Sequence, residues 1–165
     1  MESGQDAASD ELLRNVPPHS MEAEQAVLGG DFLKPDSLFT IVDMLSPEDF
    51  YFPAHRIIFN AFVELFQRSA PIDFITVPEY LKSQSLLEEA GGASYLVDLS
   101  RGIISAANAE YYAGLVREKA MLRQLIGVSA DIIGQCYDPS RDVQELLNDS
   151  AQAIFAVSQR STRGP

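Results

Sequence analysis

At 165 residues the chain has room for one domain, or for one domain with an appendage. Hydrophobic residues make up 46% of it, enough to bury a core. Lys and Arg number 12 against 24 Asp and Glu, a net charge of −12. That is the wrong sign for a surface that grips phosphates, so little or no direct nucleic-acid binding is expected.

Residues 1–15, MESGQDAASDELLRN, are polar and acidic without a sustained period and predict a disordered tail. Val16-Pro17-Pro18-His19 is extended, because each residue before a proline is pushed out of the α region. Ser20 caps a helix to about Leu33, with Glu22 and Glu24 in its first turn, where the macrodipole favours them. Gly29-Gly30 inside it costs about 1 kcal/mol per glycine relative to Ala, and close approach of a neighbouring helix is the usual reason. Lys34-Pro35-Asp36 breaks the chain, and Leu38, Ile41, Val42 and Leu45 restart it as an amphipathic helix. Ser46-Pro47-Glu48-Asp49 is a capped turn, with its acids read as a solvated face.

Pro53 opens a helix to about Ser69 with Ile58, Ala61, Phe62 and Leu65 inward; His55 reads as a surface or capping residue, with no carboxylate beside it in sequence. Thr76 and Glu79 form a T-x-x-E capping box for a helix to about Ser83. Leu86 to Gly92 is a short turn with a glycine stop. Ala93 to Ser100 is a brief helix burying Tyr95, Leu96 and Leu99, and Arg101 to Ala107 connects onward.

Asn108 to Cys136 carries no proline and would span roughly 44 Å as a helix, more than a small domain's width. It has two apolar rows. One is Leu115, Leu122, Ile126, Ile133 and Cys136, with Lys119 and Ser129 as polar steps; the other is Met121, Leu125, Val128 and Ile132. One short partner helix covers one row, and the second row asks for another partner, a second copy of the chain. The alternative is that both rows pack inside one monomer. Cys136 reads as a buried structural thiol, and Gly127 and Gly134 as places of close approach or bending.

Tyr137-Asp138-Pro139 ends the long helix. Asp142, with Glu145, caps a last one to about Arg160, with Val143, Leu146, Leu147, Ile154 and Val157 as its apolar positions. So short a connection predicts an antiparallel hairpin. No stretch alternates as a strand does. The fold class is therefore all-α: a head of short helices over 16–105, a hairpin over 106–160, and a linker or chain end over 161–165.

No motif of the chain carries chemistry. There is no G-x-x-x-x-G-K-[ST] phosphate loop and no H-E-x-x-H, and two His with one Cys make a zinc site improbable. Neither catalytic, cofactor-binding nor metal-ligating residues are assigned. A lone cysteine excludes an internal disulfide and suits a reducing cytosol. With no signal peptide and no apolar run near the ~18 residues that span a bilayer, a cytoplasmic location away from membranes is expected.

Five segments, in order, resemble DnaB-type replicative DNA helicases: NVPPHSMEAEQAVLGG from Asn15 to Gly30, FYFPAHRIIFNAF, PIDFITVPEYL, LLEEAGGASYLVDLS and ISAANAEYYAGLVREKAMLRQLI. The likeness covers roughly residues 15–160. It implies the amino-terminal domain of a ring-shaped hexameric motor, in which hairpins pair between subunits and six domains form a collar as a trimer of dimers. The implied partners are further copies of itself, primase and, in some systems, a helicase loader. The motor, with its ATP, magnesium and DNA-gripping loops, is absent from this sequence, so no enzymatic activity is expected of the chain itself. On this hairpin the resemblance assigns the pairing interface to Met121, Leu125, Val128, Ile132, Val143, Leu147 and Ile154. The competing readings are a stand-alone helical adaptor that regulates a helicase, an ATP-dependent enzyme, and a DNA-binding module using Arg117, Lys119 and Arg123. Against the last, those three do not share one helix face.

Overall fold

A computed structural model describes residues 15–101 and 108–161. Most of the expected tail, the connection over 102–107 and residues 162–165 lie outside the described residues. Within them the protein is helical and has no strand. The elements are α1 (Met21–Leu33), a 3-10 turn (Pro35–Ser37), α2 (Leu38–Met44), a second 3-10 turn (Pro47–Asp49), α3 (Pro53–Gln67), α4 (Thr76–Ser83), α5 (Gly92–Arg101), α6 (Ala109–Cys136) and α7 (Val143–Ser161). No helix among the described residues is long and apolar enough to cross a membrane. The described residues divide into two compact units, one over 19–120 and the other built on 121–161 with residues 15–18.

The first unit is organised around α1, which packs on α5, α3 and the 3-10 turn that follows it. Ser20 Oγ accepts from the Ala23 amide at 3.2 Å, as a helix start requires. Val27, Leu28 and Phe32 of α1 meet Ile58, Phe59 and Phe62 of α3 and Leu96 and Leu99 of α5 in one core. Phe32 sits edge-on to Phe62, with centroids 4.9 Å apart, and stacks on Phe74. The first two turns of α6 close this core with Ala109, Ala113 and Val116. Small residues let them come near. A Cβ placed on Gly30 would lie 3.4 Å from the Ala109 Cβ, the close approach that the glycine pair had suggested.

Local chemistry starts α4 differently from expectation. Asp73, not Thr76 with Glu79, supplies the cap: its Oδ1 accepts from the Ile75 and Thr76 amides, each at 2.8 Å, and Thr76 Oγ1 accepts from the Asp73 amide at 3.1 Å. These backbone amides, Thr76's foremost, hold the Asp73 carboxyl below its ordinary 3.8. At the start of α5, Gly91 and Gly92 adopt φ of +98° and +81°. A side chain at Gly91 would also collide with the Tyr95 ring, 2.8 Å from the added Cβ.

Two residues expected at the surface, Asp49 and His55, are buried, and so is Glu24. Asp49 is fully buried and closes a capping box with Ser46, whose amide it accepts at 2.8 Å. Glu24 and His55 are each 1% exposed and face one another across α1 and α3. Their pairing joins residues far apart in sequence, which no pattern of neighbours displays.

In the second unit α6 turns back into α7 through the six residues from Tyr137 to Asp142. Asp138 Oδ1 accepts from the Ser140 amide at 2.9 Å and the Ser140 hydroxyl at 2.7 Å, fixing the turn. Those bonds, the hydroxyl's first, keep the Asp138 carboxyl below 3.8. Asp142 Oδ2 accepts from the Glu145 amide at 3.0 Å and starts α7 as expected. Arg141 ties the two helices, donating to Gln135 at 3.1 Å and Asp149 at 2.9 Å.

Candidate functional site: the open side of the hairpin

The seam between α6 and α7 defines everything else on the hairpin. Val128, Asp131, Ile132 and Gln135 of α6 and Asp149, Ser150 and Ala153 of α7 line one small open cleft along it. At about 100 Å³ the cleft is well below the size of a usual ligand site. Val157 of α7 is buried.

Around the seam the two helices have different edges. An α-helix advances about 100° per residue. From Val128, one sense of rotation leads to Leu125 at about 60°, Leu122 at about 120°, Ile133 at about 140° and Ile126 at about 160°. From Ser150 on α7 the same sense leads to Ile154 and Leu147 within about 60° and to Phe155 at about 140°. The helices are antiparallel, so equal senses of rotation lead to the same side of the hairpin. The opposite sense leads to Asp131 and Asp149, where the cleft opens.

One side of the hairpin is therefore apolar and open. Exposures are 45% at Leu122, 37% at Leu125, 45% at Ile126 and 42% at Ile133 on α6, and 57% at Leu147, 48% at Ile154 and 60% at Phe155 on α7. Single exposed apolar residues are ordinary on any surface; seven of them on two neighbouring helices are not.

Of the seven residues assigned to pairing from sequence, Leu125, Val143, Leu147 and Ile154 are exposed. Met121, Val128 and Ile132 are half-buried, the last two on the seam. The row through Leu122, Ile126 and Ile133 is the more open of the two on α6. Phe155 was missed, although it follows Ile154 directly and lies on the same side. Cys136, expected to be buried, is exposed. It ends the row that α7 leaves uncovered. Gly127 and Gly134 have no other part of the chain within 4 Å of an added Cβ.

Elsewhere the polar groups are engaged in structure. His19 stacks on Tyr51 at 4.3 Å between centroids. Arg123 donates to the Pro18 carbonyl at 2.7 Å. Among the described residues no group of three His, Cys, Asp or Glu is arranged to hold a metal.

Comparison with known proteins places this fold. The family described as DnaB-like helicase N terminal domain matches residues 16–118. The replicative DNA helicase DnaB of Pasteurella multocida is 43% identical over 148 residues, which are 89% of this chain and 32% of that protein. The replicative DNA helicase DnaC of Bacillus subtilis is 43% identical over 152 residues, 92% of this chain and 34% of that protein. The chain thus spans about a third of the length of these relatives. Among solved structures, the N-terminal domain of the DnaB helicase from Mycobacterium tuberculosis superposes with a TM-score of 0.80 at 38% identity, covering 86% of this chain and 99% of that one. A DnaB-like replicative helicase, described with its interactions with primase, superposes with a TM-score of 0.71 at 22% identity over 84% of this chain and 31% of that one; at that identity the likeness is one of fold.

Proposed function

This chain belongs to the family of DnaB-like helicase N-terminal domains, and on that footing we propose that it is the scaffolding domain of a replicative DNA helicase, pairing with a second copy through the open side of its hairpin and docking primase during DNA replication. The observation that carries the reading is the apolar side formed jointly by α6 and α7. Two such sides, brought together, bury Leu122, Ile126, Ile133, Leu147, Ile154 and Phe155 in a four-helix arrangement. Repeated pairing around a ring would give a collar, a trimer of dimers. The acidic surface suits a collar that meets proteins and leaves DNA to other parts of the helicase.

Primase is proposed as partner on the strength of the DnaB-like helicase whose structure is described with it, and a helicase loader is a further candidate. ATP and magnesium would serve a motor in the two-thirds of the relatives that this chain does not match. The cytoplasm is the proposed location.

Equilibrium sedimentation over a concentration series tests the pairing. The unmodified chain should associate, and Ile126→Asp combined with Ile133→Asp should leave it monomeric with its melting temperature nearly unchanged. A strict monomer into the hundreds of micromolar removes the pairing reading. Calorimetric titration with purified primase tests docking separately.

A further inference from the structure

The reversal from α1 into α2 contains a buried acid that the hairpin reading does not use. Asp31, in the last turn of α1, is fully buried, and its Oδ2 has no hydrogen-bond partner among the described residues. Its Oδ1 lies 2.8 Å from Ser37 Oγ, at the end of the 3-10 turn. The same Ser37 Oγ lies 2.8 Å from the Lys34 carbonyl oxygen. A serine hydroxyl carries one proton, so it can serve only one of these two acceptors at a time. Both short contacts are satisfied together when Asp31 itself carries a proton: its O–H donates to Ser37 Oγ, and Ser37 donates on to Lys34. An ionised Asp31 would instead be a buried charge with a single donor, the costly arrangement.

We propose that Asp31 and Ser37 form a proton-operated latch at the α1–α2 reversal, closed while Asp31 is protonated and loosened when it ionises. On ionisation the Ser37 hydroxyl turns to the carboxylate, and the Lys34 carbonyl keeps only the Ser37 amide, at 3.0 Å. The reversal is then held by one hydrogen bond fewer, and a buried charge draws water toward it. The element released is α2, which begins at Leu38, next to Ser37, and carries the exposed Phe39 against Phe66.

Among the described residues no neighbouring charge competes with this account. The ionisable residues near the reversal or on the elements packed against α1 include Lys34, Asp36, Asp43, Glu64, Asp98 and Arg101. Lys34, Asp36, Asp43, Asp98 and Arg101 are exposed, and Glu64 lies near Arg68, 3.8 Å away. On α3, His55 is held by Glu24, and Arg56 donates to the Phe50 carbonyl. At the start of α6, Glu110 is exposed. Burial pushes Asp31 up to about 7, against a smaller downward pull from Ser37, so the latch would change state near neutral pH.

Carbon-detected NMR of the side-chain carboxyls, with amide hydrogen exchange at Ser37 and Leu38, tests the latch on the 165-residue chain. Asp31 should titrate near 7, and exchange at those two amides, corrected for its intrinsic pH dependence, should rise several-fold through the same midpoint. Asp31→Asn should hold exchange slow at every pH, because its amide can donate to Ser37. Ser37→Ala should move the Asp31 midpoint higher, because the carboxylate loses its one donor. A midpoint near the ordinary 3.8 overturns the proposal. So does a midpoint near 7 with exchange that does not follow it, or a Ser37→Ala chain that titrates as before. The unsubstituted chain decides the matter even where a variant fails to fold.

Discussion

The Glu24 carboxylate lies 2.8 Å from Nδ1 of His55, a residue thirty-one positions further along the chain. It also accepts from the Tyr51 amide at 3.0 Å and the Phe52 amide at 3.4 Å. On the other side of the ring, His55 Nε2 lies 2.5 Å from the Tyr95 hydroxyl oxygen. Gln25 completes the chain by donating to that phenol oxygen at 3.3 Å. The network ties α1, α3 and α5 at the point where they meet.

Removing one member should therefore be expensive. Glu24→Ala strands two backbone amides and an imidazole in a site 1% exposed, and about 3–5 kcal/mol of unfolding free energy should be lost. Urea denaturation measures it. A loss under about 1 kcal/mol would mean that the network contributes little to the head.

Gly30 faces Ala109 with little room. Gly30→Ala should be close to neutral, because its gain in helix propensity, about 1 kcal/mol, is set against a Cβ contact at 3.4 Å. Gly30→Val adds atoms that have nowhere to go and should cost about 1–3 kcal/mol. Thermal melts of the two variants side by side separate the effects.

Gly127 presents the opposite case, with open space where a Cβ would stand. Gly127→Ala should stabilise α6 by up to about 1 kcal/mol. It points away from the open apolar side, so sedimentation should show association unchanged. Loss of association on this substitution would move the pairing surface to the other side of the hairpin.

Two carboxyls give opposite dependences on pH. Asp73 is held below 3.8 when folded, so its cap contributes fully above that pH and is lost as the pH falls through the lower folded value. Asp73→Ala should cost about 1 kcal/mol at neutral pH and progressively less in acid. Asp31 is raised from 3.8 to about 7, so the folded chain keeps a proton that the unfolded chain gives up. Stability should fall as the pH rises across that window and level off above it. The full span corresponds to about 4 kcal/mol, an upper figure. Unfolding curves at several pH values should show the slope, and Asp31→Asn should abolish it.

What could be seen in the sequence was whatever is settled within a few residues. Ser20 and Asp142 declare their helices because cap and amide lie three positions apart. The apolar spacing of Ile58, Phe62 and Leu65 likewise points one face of α3 inward. The Thr76 signal failed because Asp73, three residues earlier, supplies a better-placed acceptor. Glu24 with His55 was hidden by distance along the chain. The choice between the two rows of α6 was hidden by rotation: which row faces α7 depends on how the turn at Asp138 presents one helix to the other. Cys136 follows from that rotation, since it ends the row that α7 does not cover.

The turn from Tyr137 to Asp142 has a further consequence, in time. It closes with bonds between residues two or three apart, Asp138 with Ser140 and with Arg141, so the hairpin begins from a loop that forms at small entropic cost. The head has local caps of the same kind at Ser46 and Asp73, but they do not bring its helices together. Its decisive contacts join Glu24 to His55, Gln25 to Tyr95 and Gly30 to Ala109, and each must wait for a long segment to come back on itself. On a chain emerging from the ribosome the head is made first, yet its last wall, the opening turns of α6, arrives only after α5. Order of synthesis and order of closure therefore run apart, and the core of the head stays open beside Gly30 until α6 arrives.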